Sequence, residues 1–192
     1  MNRYAITVRH WWVAPAALAL LVVVCWTVGA SEVPVPSLIG GMGSAQLAYF
    51  SPVLIVLAVM YCLERQLREA EITAVLSVRR FDQGAIVLTA VLAHAAGVVV
   101  GMDVARNVTL LLALGLVTRR LANEATAAAA GLMFLIINLI LGRAYNPDGY
   151  TTHTWWAVAL YPAGSLTAWL VAVALLALAL PLAFSGTPAS RR

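Results

Sequence analysis

Few side chains in this 192-residue sequence could do chemistry. His94 and Asn138 each sit in the middle of a long apolar run. A polar group there is a functional candidate by default, because leaving it unpaired in lipid is costly. A single His or Asn more often makes an interhelical hydrogen bond, worth about 0.6–2 kcal/mol, so packing is the expected role of both. His153 and Ser165 are split by Pro162 and make a poor nucleophile–base pair. Glu64, Glu69 and Glu71 cluster, but no His shares their face to complete a metal site. Asp82, Asp103 and Asp148 stand alone rather than in the paired motifs that hold a divalent ion. There is no G-x-S-x-G elbow and no H-E-x-x-H helix. All 12 basic residues are Arg. Without Lys there is no phosphate-binding loop of the G-x-x-x-x-G-K-[ST] kind and no Schiff-base catalysis. Cys25 and Cys62 lie in apolar runs and read as small packing residues. The expectation is a chain that is no enzyme, with no catalytic residue, no cofactor and no metal of its own.

The elements that carry these residues are set by composition. Apolar residues make up 62% of the chain and charged ones 10%, against roughly 45–50% and about 25% in soluble domains. A soluble globule of this size could not hide so much apolar surface. That excludes a soluble enzyme, a nucleic-acid-binding module and a disordered chain, and points to the lipid bilayer as the chain's surroundings. A bilayer core of about 30 Å takes about 20 apolar residues in helix. Suitable runs lie at 13–30, 45–63, 84–102, 104–118, 125–142 and 163–184, forming a single transmembrane domain over 1–192. Backbone groups in lipid must pair internally, so the fold class expected is an all-α polytopic membrane protein of six transmembrane helices. Residues 152–161, ahead of Pro162 and Gly164, read as an interfacial piece before the last span.

An even number of spans puts both termini on one side. Arg3, Arg9, Arg65, Arg68, Arg79, Arg80, Arg119, Arg120, Arg191 and Arg192 fall on that side, and only Arg106 and Arg143 on the other. The positive-inside bias makes both termini cytoplasmic. Trp11, Trp12, Trp155 and Trp156 lie near run ends, where aromatic belts form. Gly97, Gly101 and Gly115 read as close-packing positions, and 125–131 as a small-residue face.

The longest cytoplasmic connection, 64–80, begins with strong helix formers. Leu67, Ala70, Ile72, Val75 and Leu76 give it an apolar stripe at helical spacing, with Glu64, Glu69, Glu71, Arg79 and Arg80 around it. A charged amphipathic helix between two spans suits a partner protein that pushes on it, and equally a linker lying on the headgroups. Both readings stand on the residues alone.

With this layout the chain resembles the six-span permease subunits of ABC exporters, the type 2 class that handles drugs, polysaccharides and peptide antibiotics. The likeness rests on three stretches: Met60 to Arg80, Leu114 to Ala128 and Trp155 to Pro162. In that family the first holds the short coupling helix between spans two and three, which docks in a cleft of the ATPase. The second is similar to the tight cytoplasmic turn between spans four and five. The third is similar to the amphipathic outer hairpin before the last span. The resemblance implies a permease moving an amphipathic peptide, drug or lipid-like substrate. ATP and Mg would be bound by a separate cytoplasmic ABC ATPase, with a second permease copy or a related permease as further partner. It implies ATPase coupling by Glu64, Glu69, Glu71, Ile72, Val75, Leu76, Arg79 and Arg80. Localisation follows as the plasma membrane, and the Arg-only, Ala- and Val-rich usage suggests a high-GC bacterium. Two other classes stay open: a non-transporting accessory or scaffold protein, and a secondary carrier with His94 and Asn138 in its path.

Overall fold

The computed structural model describes residues 10–37, 41–64, 78–145 and 151–185. Six α-helices carry the architecture: α1 Val13–Thr27, α2 Pro52–Glu64, α3 Val78–Val100, α4 Met102–Leu121, α5 Glu124–Leu141 and α6 Leu166–Phe184. Local chemistry explains their ends. Pro52 opens α2, where its missing N–H is one the helix could not use. Asn123 caps α5, its Oδ1 accepting from the Thr126 N–H at 2.8 Å, and Ser165 Oγ accepts from the Ala168 N–H to start α6. Between α3 and α4 the chain reverses at Gly101, whose φ of +128° is closed to side-chain-bearing residues at ordinary cost.

The boundaries depart from the sequence expectation in ways that matter. Helix α3 begins at Val78 rather than at residue 84, so Arg79, Arg80 and Asp82 belong to its first turns and not to the connection. Helix α4 runs on to Leu121, carrying Arg119 and Arg120 inside it. The all-α expectation holds for the helices but not for the connections. β1 (Glu32–Ser37) and β2 (Gly41–Gln46) form an antiparallel hairpin from Glu32↔Gln46 to Ser37↔Gly41. Pro34 and Pro36 forbid helix there, and each strand of a two-stranded hairpin has a free edge that tolerates them. A 3-10 turn, Leu47–Phe50, then leads into α2, which therefore starts later than residue 45. A second, shorter hairpin pairs β3 (Arg143–Tyr145) with β4 (Thr151–His153), and a 3-10 turn at Val158–Leu160 follows it.

Helix α4 is the axis. It packs against α2, α3, α5 and α6, while α1 closes on α2 and α3. From Val104 to Ala113 every residue of α4 is buried. Its Leu111, Leu112 and Leu116 meet a core that includes Ile55, Val56, Val59 and Leu63 of α2, Ile86 of α3 and Leu135 of α5. Gly97 lets α3 close on α4, because a Cβ there would stand 2.6 Å from that of Ala105. Gly115 plays the same part toward α2, a Cβ meeting Met60 at 3.0 Å.

The helices alternate in direction, so the molecule has two distinct ends. Both hairpins share one, tied together by Arg143, whose Nη2 donates to the Ser44 carbonyl. The other gathers the C-termini of α2, α4 and α6 and the start of α1. There the Trp11 indole donates to Asp82 Oδ1 at 3.3 Å, pinning α1 to α3. The outward faces are apolar: Leu20, Val23 and Trp26 on α1, Leu88, Val91 and Val98 on α3, Leu170 and Leu178 on α6. So many exposed apolar side chains are rarely carried in water by a monomer and are compatible with a membrane setting. Three helical segments, Leu47–Glu64, Arg79–Val100 and Leu166–Phe184, are long and apolar enough to cross a membrane, and α1 and α5 are shorter apolar helices.

Candidate functional site

The largest fully buried side chain in the described residues is Arg106, 0% exposed, one turn into α4. A guanidinium has five N–H donors in a fixed fork and must satisfy them where it lies. It does so on the turn ahead of α6. Nη1 donates to the Tyr161 and Pro162 carbonyls at 2.8 and 3.1 Å, and Nη2 to the Ala159 carbonyl at 3.1 Å. Asn107 completes the clamp: its Oδ1 accepts from Nε and Nη2, and its own Nδ2 donates to Ala159 O at 3.2 Å. The Val158–Leu160 turn and the two residues after it thus offer carbonyls to a cation, as a helix C-terminus does. The result is a staple from the hairpin end of α4 to the segment preceding α6.

The opposite end of α4 repeats the device twice. Arg119 Nη2 donates to the Leu63 carbonyl at 3.0 Å, at the C-terminus of α2. Arg120 Nη1 donates to the Leu182 carbonyl and to Ser185 Oγ, at the C-terminus of α6. Leu182 lies in the last turn of α6, where carbonyls have no further turn to bond and need outside donors. Arginines read from the sequence as topology markers are also the fasteners between helices.

The polar residues singled out in the apolar runs fall elsewhere. His94 Nδ1 lies 2.6 Å from the Ala90 carbonyl, and because a carbonyl only accepts, Nδ1 carries the hydrogen. Its ring stands 4.7 Å from the Trp169 ring on α6. Asn138 is buried on α5, with Nδ2 donating to Phe134 O at 2.9 Å and its Oδ1 unpartnered among the described residues. The bond is therefore within α5 rather than between helices. α3 and α5 are each packed on α4 rather than on one another, so the two residues do not form one site. Of the coupling residues, Glu64 ends α2 and Arg79 and Arg80 open α3, all three exposed. Glu69, Glu71, Ile72, Val75 and Leu76 lie outside the described residues.

The signal that could have singled out Arg106 was present in the sequence: an Arg–Asn pair inside an apolar run is costly unless satisfied. Its partners, more than fifty residues downstream, carry no motif, because backbone carbonyls belong to every residue.

Between the two sets of staples lies a groove of about 390 Å³. Its floor is Leu110, Ala113, Leu114 and Val117 of α4. Phe134 of α5 forms one wall, Val171 and Leu175 of α6 the other, and Trp156 and Val158 roof it at the hairpin end. Every lining residue is apolar or aromatic, so the groove suits hydrocarbon and not water. Among the described residues no group of His, Cys, Asp or Glu is placed to hold a metal ion. No protein-family model, curated protein or solved structure matches the chain.

Proposed function

We propose that this chain is the membrane-spanning permease subunit of an ATP-driven ABC exporter. In this reading all six helices cross the bilayer, the hairpin end faces outward, and both termini and the 64–80 connection are cytoplasmic. The observation that carries it is the Arg119–Leu63 contact. Leu63 is the residue before the connection begins, so a displacement of that connection is passed to α4 within one hydrogen bond. Helix α4 is buried and packed on four neighbours, so it moves as a rigid rod. Arg106 at its far end grips the turn that leads into α6. A push by a partner at the cytoplasmic face would thus reach the outer segment through one helix with a clamp at each end. That is the mechanical part an exporter needs from a subunit whose energy comes from a separate ATPase.

The stripe at Ile72, Val75 and Leu76, flanked by Glu69, Glu71, Arg79 and Arg80, is suited to a groove on such a partner. Val75→Asp would place an unpaired charge in that contact. A loss of about 3 kcal/mol weakens association more than a hundredfold. The expected phenotype is a normal membrane level, loss of the co-purifying ATPase and loss of export. A Val75→Asp protein that keeps its ATPase and its export would return the connection to the role of a linker and remove the basis of the reading.

A further inference from the structure

Helices α5 and α6 both rest on α4 without an extensive interface of their own, and the groove is the gap this leaves. We infer that the groove holds one acyl chain of a bilayer phospholipid, entering sideways between α5 and α6, with its headgroup beside Trp155 and Trp156. The inference rests on the membrane-embedded reading alone and is independent of any ATPase.

Three considerations select this occupant. The lining has no polar side chain, and a bound water needs two to four polar partners. The lip is open: Val117 is 37% exposed and Val171 41%, so the gap communicates with whatever solvates the outward apolar faces. An empty groove would forfeit the dispersion contacts of its whole lining, which a flexible chain recovers. The roof then orients the lipid. Trp155 is 85% exposed at the hairpin end, where an indole prefers the headgroup level, while Trp156 turns into the groove. The Arg106 staple holds this roof from behind through Ala159, Tyr161 and Pro162, so the chain's outer stop is fixed rather than hinged.

The test uses the full chain reconstituted in vesicles of palmitoyl-oleoyl phosphatidylglycerol and re-extracted in mild detergent. Native mass spectrometry then counts the phospholipid that survives delipidating washes. The parent is expected to keep one phospholipid per chain. Ala113→Leu fills the groove from the floor, and Val117→Trp fills it from the exposed lip, where folding is not at stake. Both should lower retained lipid at least fivefold. Val173→Trp, on the exposed face of α6 opposite Val171 and Leu175, should leave it unchanged. A parent that resists carbonate extraction from membranes yet retains no lipid would overturn the groove assignment and leave membrane embedding standing. Equal retention in the parent and both filled variants would overturn it as well, as would a lip variant that changes only the oligomeric mass. A parent released from membranes by carbonate would remove the embedding on which the assignment rests.

Discussion

A buried guanidinium with no carboxylate in contact among the described residues is sustained by geometry. Arg106 holds three carbonyls at once; cutting the side chain back would take the donor from the Tyr161 carbonyl and leave the Ala159 and Pro162 carbonyls with only Asn107 Nδ2 and the Ser165 N–H. Arg106→Ala is therefore expected to destabilise the protein by about 3 kcal/mol, read as a lowered thermal unfolding midpoint in detergent. Arg106→Lys should recover only a minor part, because a point ammonium cannot span the fork's contacts. An Arg106→Ala protein that melts with the parent would show that the clamp contributes nothing. His94 invites the opposite expectation. Its hydrogen bond stays within its own helix turn and its ring packs on Trp169, so His94→Gln should cost less than about 1 kcal/mol and leave the proposed export intact. Export abolished in a folded His94→Gln protein would place the imidazole in a transport path.

At the scale of elements, the contact between α3 and α4 depends on the absence of one methyl group. Gly97→Ala brings a Cβ to 2.6 Å of the Ala105 Cβ and should cost about 1–3 kcal/mol. Adding Ala105→Gly should return part of that loss, despite the helix penalty of the new glycine. A double variant less stable than Gly97→Ala alone would locate the strain elsewhere. The helices themselves were legible from hydropathy, because long apolar runs leave the backbone no other way to satisfy itself. Their ends were less so. Arg79, Arg80 and Asp82 looked like loop residues by charge, yet they form the first turns of α3, where Asp82 is buried and meets Trp11. The strands of the first hairpin were hidden for a different reason. Prolines that exclude a helix mark a loop equally well, and only the pairing from Glu32 to Gln46 distinguishes the two.

The whole molecule has two unlike ends, and its orientation is open to direct measurement. In a background with Cys25 and Cys62 replaced by Ala, Ser44→Cys at the hairpin end should label with a membrane-impermeant thiol reagent in intact cells. Asn123→Cys, between α4 and α5, should label only after permeabilisation. The reverse pattern would put the 64–80 connection outside and defeat any cytoplasmic partner. The Arg distribution made this asymmetry visible in the sequence, but it could not reveal that Arg119 and Arg120 also fasten α2 and α6. Those contacts join residues about sixty positions apart through main-chain oxygens, which leave no mark in composition or spacing. The groove was hidden too, since its nine lining residues look like any others in an apolar run.

The centrality of α4 has a consequence for how the protein is made. This helix carries Asp103, Arg106, Arg119 and Arg120 and, unlike α3 and α6, does not meet the criteria of an independent span. All four lie within about a turn of a helix end, where each costs less than the ~2.5–3.5 kcal/mol of a mid-span arginine, but together they still weigh against insertion. The element on which four others rest is thus the one least able to enter a bilayer unaided. On the proposed six-span reading Gly101 would resolve the difficulty, because a one-residue reversal sets α4 against α3 as soon as both are made. The two helices would partition as a single hairpin, the strongly apolar one escorting its charged neighbour. The Arg106 clamp can close only later, once residues 159–162 have been synthesised. On that reading biogenesis would have a built-in order, with α4 placed early in an unsatisfied state and locked once the segment before α6 arrives.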